Sequence, residues 1–246
     1  MRIVLTALLG SSLACRETHN AIDRTAIAQV DLAGIELAGV NGDSLDLSGR
    51  DLTGADLSGS RFRGADFTDS LLMNTDLSNA AVEGADFSGA DLSGAILDNM
   101  CGIESANWTH AALDPKWATV VQLLTDGSVK DFSDYDLAHV CFSGRSYSGY
   151  SFTGADLREA RFGGEANNLV NADFSRADLT GALMSAVDLR HAVFIDADLT
   201  NAELSNSDLR YADFSGATLT GARMHESDIS GAVLTPGQLR DVGRSP

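Results

Sequence analysis

A large apolar residue recurs at every fifth position over most of this chain, and like residues recur at every twentieth. Nine of the ten Phe fall into sets of that spacing: Phe67 and Phe87, Phe132 and Phe152, Phe142 and Phe162, and Phe174, Phe194 and Phe214. A period of five fits neither the 3.6-residue helical repeat nor the alternation of a strand. The repeat itself must then be the unit of the fold.

Taking the apolar residue as the centre of each pentad, the series runs from Leu32 to Leu97 with Gly42 as its break. A one-residue slip carries it through Ile103, Trp108 and Leu113. It resumes from Phe132 to Phe162 and, after two extra residues, from Leu169 to Leu234, making 38 pentads of which 37 have an apolar centre. If each pentad is one side of a coil, a spacing of twenty means four sides per turn. Like side chains then stack in columns at the roughly 4.8 Å separation of hydrogen-bonded strands. The small residue two places before each centre shares its inward face, and the residue between them points out.

On these residues the chain resembles the pentapeptide-repeat proteins. The resemblance implies an all-β solenoid, a right-handed quadrilateral parallel β-helix, here carrying a short interrupting α-helix. The expected organisation is a lipoprotein signal over 1–15, an N-terminal cap over 16–29, and a first repeat lobe over 30–113. A helical connector over 114–130, a second lobe over 131–234 and a C-terminal cap over 235–246 complete it. Trp117, Val120, Val121 and Leu124 lie at helical spacing, with Asp114 placed to cap, Pro115 at the first position and Gly127 suited to a left-handed C-terminus. Thr235 to Gln238 has the spacing of a capping box. Gyrase-protecting members of the family carry a longer apolar C-terminal helix that makes a dimer, and this chain has nothing of that size.

Arg2, the apolar run Ile3 to Leu9, and Ala14 before Cys15 resemble a short bacterial lipoprotein signal, although Ser12 stands where such signals usually carry Leu. Cys15 would be the lipidated residue, placing the protein in the cell envelope. A buried N-terminal cap with a free thiol, in a cytoplasmic protein, is the alternative. Of the remaining cysteines, Cys101 is read as an inward small residue before Ile103 and Cys141 as outward before Phe142, and opposite facings argue against a bond between them.

With 35 acidic against 17 basic residues, direct contact with nucleic acid is disfavoured, and membrane contact is expected only through the lipid. Eighteen Asp and two Glu stand immediately before a pentad centre, forming ladders such as Asp46, Asp66, Asp86 and Asp188, Asp208, Asp228. Two readings compete. The Asp carboxylate is a turn former that accepts backbone hydrogen bonds, or the ladders imitate the DNA backbone and occupy a type II topoisomerase, as in the quinolone-resistance branch of the family. The histidines show no metal-ligand spacing, and no phosphate-cradling loop or nucleophile motif is present. No catalytic residue, cofactor or metal is therefore expected, and the first expectation is a scaffold that binds a protein partner. Local departures are further site candidates: Gly42, the bulge at Gly163, Gly164 and Glu165, and Arg145 with Tyr135, Tyr147 and Tyr150, of which Tyr135 and Tyr150 take the inward small position.

Overall fold

Each pentad closes on a tight turn, and the turn explains its composition. At Phe87 the backbone N–H of Ala90 donates to the Phe87 carbonyl at 3.0 Å, and Gly89 between them has φ +71°. Positive φ at the third residue of such a turn favours Gly or Asn, and Asn74, Asn79, Asn99, Asn171, Asn201 and Asn206 all adopt it at the same place in the repeat. The turn bends the chain every five residues and leaves one pairing residue per side. The computed structural model describes residues 31–143, 145–163 and 168–242. Residues 1–30, with the signal, Cys15 and the N-terminal cap, lie outside that range, as do Gly164, Glu165 and Gly243.

The chain divides after Thr125 into two compact units. In the first, four parallel columns of single bridges run Glu36, Asp56, Asp76, Ile96; Asn41, Arg61, Ala81, Cys101; Asp46, Asp66, Asp86, Asn107; and Asp51, Leu71, Asp91, Ala112. Each bridging N–H donates to the preceding coil and each central N–H to the next, as in Asp86 N to Ala65 O at 2.9 Å and Phe67 N to Asp86 O at 2.7 Å. The centres and the small residues before them fill the interior. Phe67, Phe87 and Trp108 stack with centroids 4.8 and 4.6 Å apart. Inward Ser60 and Thr75 satisfy their hydroxyls on the carbonyls of Leu37 and Leu52.

The break at Gly42 is a packing feature. A Cβ there would lie 2.4 Å from the Phe62 ring, so Phe62 from the next coil fills the space that the missing side chain leaves. The one-residue slip sits later than the periodicity suggests. Ala81 pairs with Cys101 at a spacing of twenty and Asp86 with Asn107 at twenty-one, so the extra residue falls between them, in the 3-10 turn Ile103–Ser105. Gly102, with φ 92°, is thus a second break in the centres, and buried Ile103 is the first residue of that turn. Cys101 consequently occupies an outward bridging position like that of Cys141, which corrects the expectation of opposite facings. Both cysteines are disulfide-bonded.

Helix α1, Pro115–Thr125, ends the first unit with Trp117, Val120, Val121, Leu123 and Leu124 buried. The Asp114 carboxylate accepts from Gly94 N at 3.3 Å, meeting a donor that a further coil would otherwise take. Gly127 does not have the left-handed φ expected of it, and the chain turns instead through Asp126, whose Oδ1 accepts from Ser128 N and Oγ.

The second unit has the same ladder, with strands β1 (Cys141–Phe142) and β2 (Arg161–Phe162) in parallel register. The two extra residues lengthen the spacing to twenty-two, as in Ser151 with Asp173 and Arg161 with Leu183. That step joins two Phe sets: Phe152, Phe174, Phe194 and Phe214 stack in sequence at 4.9, 5.1 and 4.8 Å. Phe142 stacks on Phe162 at 4.6 Å. Phe132 meets Phe152 edge-on at 5.4 Å, because Tyr150 crowds it from inside. Tyr150 is buried as its inward position requires, whereas Tyr135 is 40 % exposed, which corrects the inward reading. Helix α2, Pro236–Asp241, begins with the full capping box of Thr235 and Gln238. The buried Gln238 amide donates to the carbonyls of Phe214 and Ala217 at 2.7 and 2.9 Å, covering part of the last coil's edge.

Candidate interaction surface

The outward residue of each pentad is where the chain can meet another molecule, and here the eighteen Asp do one thing in common. Every one accepts a hydrogen bond at Oδ1 from the backbone N–H two residues on, at 2.8 to 3.2 Å. Glu203 does the same to Ser205 at 3.0 Å. This is the Asx pattern that organises a turn. At several of these turns a Ser hydroxyl adds a second bond, as from Ser48 to Asp46 at 2.7 Å and from Ser88 to Asp86 at 2.6 Å. Those hydroxyls, with the backbone bond, hold the Asp46, Asp86 and Asp91 carboxyls below the ordinary range. Those three carboxylates are thus fixed in direction and ionised at neutral pH.

The two units compensate that charge differently. In the first, the sides carrying Asp46, Asp66 and Asp86, Asp51 and Asp91, and Glu36, Asp56 and Asp76 hold no Lys or Arg, apart from Arg50 at a corner between two of them. Arg61 and Arg63 stand on the fourth side and pair with Asp43 and Glu83. In the second unit, Asp188 and Asp208 are each clamped by the Arg two residues on. Arg190 reaches Asp188 at 2.8 and 2.7 Å, and Arg210 reaches Asp208 at 2.9 and 2.6 Å. Each guanidinium also faces the Asp of the next coil at 3.7 Å, Arg190 toward Asp208 and Arg210 toward Asp228. The Arg hydrogen bond is the main cause of the lowered pKa of Asp188 and of Asp208, and the Ser230 hydroxyl is the main cause for Asp228. One of the two predicted acidic ladders is therefore a mixed-charge zipper. The triplet Asp-Leu-Arg at 156–158, 188–190 and 208–210 is the sequence signal for this, and the periodicity of the centres draws attention away from it.

Apolar residues interrupt the outward positions at Leu71, Ile96, Leu183, Val193 and Val233, and Ile195 and Tyr211 are exposed nearby. Arg145 lies over the rings of Tyr147 and Tyr150 at 4.9 and 5.7 Å, a cation–π arrangement that uses these residues in packing. Among the described residues, no group of three or more His, Cys, Asp or Glu is arranged to hold a metal ion. Nor is any helix among them long and apolar enough to cross a membrane.

The sequence profile described as pentapeptide repeats matches in eight copies over residues 24–59, 51–89, 70–101, 168–206 and 197–235. The chain matches none of the curated proteins compared with it. Among solved structures it is similar to HetL, a pentapeptide repeat protein involved in heterocyst differentiation regulation in the cyanobacterium Nostoc sp. strain PCC 7120. That match has 26 % identity over 86 % of this chain and 90 % of that one, with a TM-score of 0.33. A second Nostoc pentapeptide repeat protein, alr5209, is 27 % identical over 48 % of this chain and 94 % of its own, with a TM-score of 0.36. The plasmid-mediated fluoroquinolone resistance protein QnrB1 is 19 % identical over 91 % and 92 %, with a TM-score of 0.26. The repeat profile covers more than half of the residues, and the chain belongs to the pentapeptide-repeat family, whose fold is a right-handed β-helix.

Proposed function

We propose that this chain is an exported, non-enzymatic scaffold that binds a protein partner and is held in the bacterial envelope by a lipid on Cys15. Each unit is taken as a quadrilateral β-helix, a reading supported by four bridging columns per twenty-residue coil. The observation that carries export is the disulfide-bonded state of Cys101 and Cys141. Such bonds persist in oxidising compartments and are rare in the cytosol, and this agrees with the signal-like run from Arg2 to Cys15. Binding of a protein is supported by the apolar residues at outward positions, where the repeat otherwise carries Asp.

The second reading is a cytosolic DNA mimic that binds DNA gyrase or topoisomerase IV and protects it from inhibitors such as quinolones. The acidic sides of the first unit, with Arg50 at one corner, favour it, while the turn bonds of all eighteen Asp and the Arg zipper of the second unit supply a structural reason for the acidity. Intact mass and cell fractionation of the full chain and a Cys15→Ala variant separate the two. A membrane-fraction species that begins at Cys15 and carries acyl mass, lost in the variant, is the expected result. A soluble, unprocessed chain sinks export and makes gyrase supercoiling with inhibitor the next assay.

A further inference from the structure

We propose that Val193, Ile195, Tyr211 and Val233 form a docking surface for a basic, amphipathic segment of a partner protein, with Asp213 as its ion-pairing centre. This rests on the scaffold reading and names the chemistry of its partner. The column runs Asp131, Ser151, Asp173, Val193, Asp213, Val233. Asp173 and Asp213 accept the turn hydrogen bond of their pentads, both at 2.9 Å. Valine has no side-chain acceptor to offer, so Val193 and Val233 forgo that bond and place apolar surface at the exterior of the column. Ile195 stands on the same side as Val193, two residues along. Ile195, Tyr211 and Val233 are 37, 60 and 52 % exposed.

Tyr211 is held ready for a partner. Its ring stacks on His191 at 5.0 Å and 10°, and on the other side it covers Gly231, where a Cβ would lie 2.6 Å from the ring. A ring already fixed loses little entropy on binding, and Tyr is enriched among the residues that dominate interfaces.

Charge selects the occupant. Asp213 takes its turn bonds from Ser215 at Oδ1, and among the described ion pairs neither it nor Asp173 nor Asp196 has a cation. Arg176 stands at the margin, one coil before Asp196 at the same corner. On the adjoining side the carboxylates of Asp188 and Asp208 are already clamped by arginines. The apolar strip thus lies among three carboxylates without a cation partner, Asp173, Asp196 and Asp213, on a chain of net charge −18. An apolar segment bearing Lys or Arg satisfies both features, and the chain's field draws it in. An anionic membrane is repelled, and a second copy would bring Arg190 and Arg210 already paired.

The test uses the full chain and three labelled synthetic peptides, read by fluorescence anisotropy: an amphipathic Leu/Lys helix, an oligo-lysine of equal charge, and a Leu/Glu helix. The double variant Val193→Asp and Val233→Asp installs the residue type the column carries elsewhere, so the fold is retained, as a melting curve checks. It also adds negative charge, so any loss of binding reports the apolar contact. The wild type is expected to prefer the Leu/Lys peptide to oligo-lysine by about tenfold or more, the scale of losing one or more interface hot spots. The double variant should lose that preference, Asp213→Asn should weaken binding, and Leu183→Ser, on another side, should not. Equal binding by the wild type and the double variant overturns this surface and leaves the scaffold reading standing. Absence of binding to any peptide likewise overturns this surface. A wild-type dimer that the double variant makes monomeric assigns the strip to a second copy, and vesicle binding lost in the double variant assigns it to lipid.

Discussion

At the scale of the residue, the repeat has two kinds of position with different tolerances. Inward centres are interchangeable in type but bounded in volume. Gly42 is the clearest case, because the Phe62 ring fills its space. Gly42→Leu, which would complete the periodic series, is expected to destabilise by about 1–3 kcal/mol through overpacking. Pairing it with Phe62→Leu should recover much of the loss, and chemical denaturation of the three variants measures this. Corner positions are bounded by their neighbours along the column. Gly216 has φ +73°, and a Cβ there would lie 2.1 Å from the Asp196 carboxylate. Gly216→Ala should cost about 1–2 kcal/mol from the backbone alone and more from the clash. Adding Asp196→Gly should remove only the clash, leaving a coupling in a double-mutant cycle. The periodic centres were legible in the sequence at this scale. The identity of each corner residue was not, because it depends on the residue twenty positions away.

At the scale of the element, coils must end, and two different devices end them here. Helix α1 covers its coil with a broad apolar face, and Asp114 meets the Gly94 donor. Helix α2 is too short to bury much surface and relies on Gln238, whose amide serves the capping box and the carbonyls of Phe214 and Ala217 together. Gln238→Leu keeps the volume and removes the bonds. It should destabilise by about 1–3 kcal/mol, the range for leaving buried polar groups unpaired, with faster amide exchange confined to the last coil. Uniform exchange across the second unit would show that the cap contributes nothing local. The capping box was readable from Thr235 and Gln238 because it is a local pattern. The partners of Gln238, more than twenty residues earlier, were not.

At the scale of the whole molecule, the carboxylates and cysteines set the conditions under which the fold persists. The carboxyls of Asp46, Asp51, Asp86, Asp91, Asp131, Asp188, Asp208 and Asp228 are all depressed below their ordinary value of 3.8 in the folded chain. A depressed folded value means that the stabilisation is complete above the unfolded pKa and is lost as pH falls through the folded one. The melting temperature should therefore stay level near neutral pH and fall progressively below about pH 4. An unchanged melting temperature down to about pH 2 would show that the turn bonds do not favour the ionised form. For the cysteines, alkylation without reductant should label neither Cys101 nor Cys141. Labelling of both removes the support for export. The sequence by itself determined the repeat, the family and the presence of the two helices, because each rests on spacing along the chain. Only the tertiary structure decided that the slip follows Cys101, that Phe152 joins the Phe174 column and that Arg190 and Arg210 neutralise one acidic ladder. Those outcomes depend on which residues stand above one another in neighbouring coils, and one inserted residue changes every such pairing beyond it.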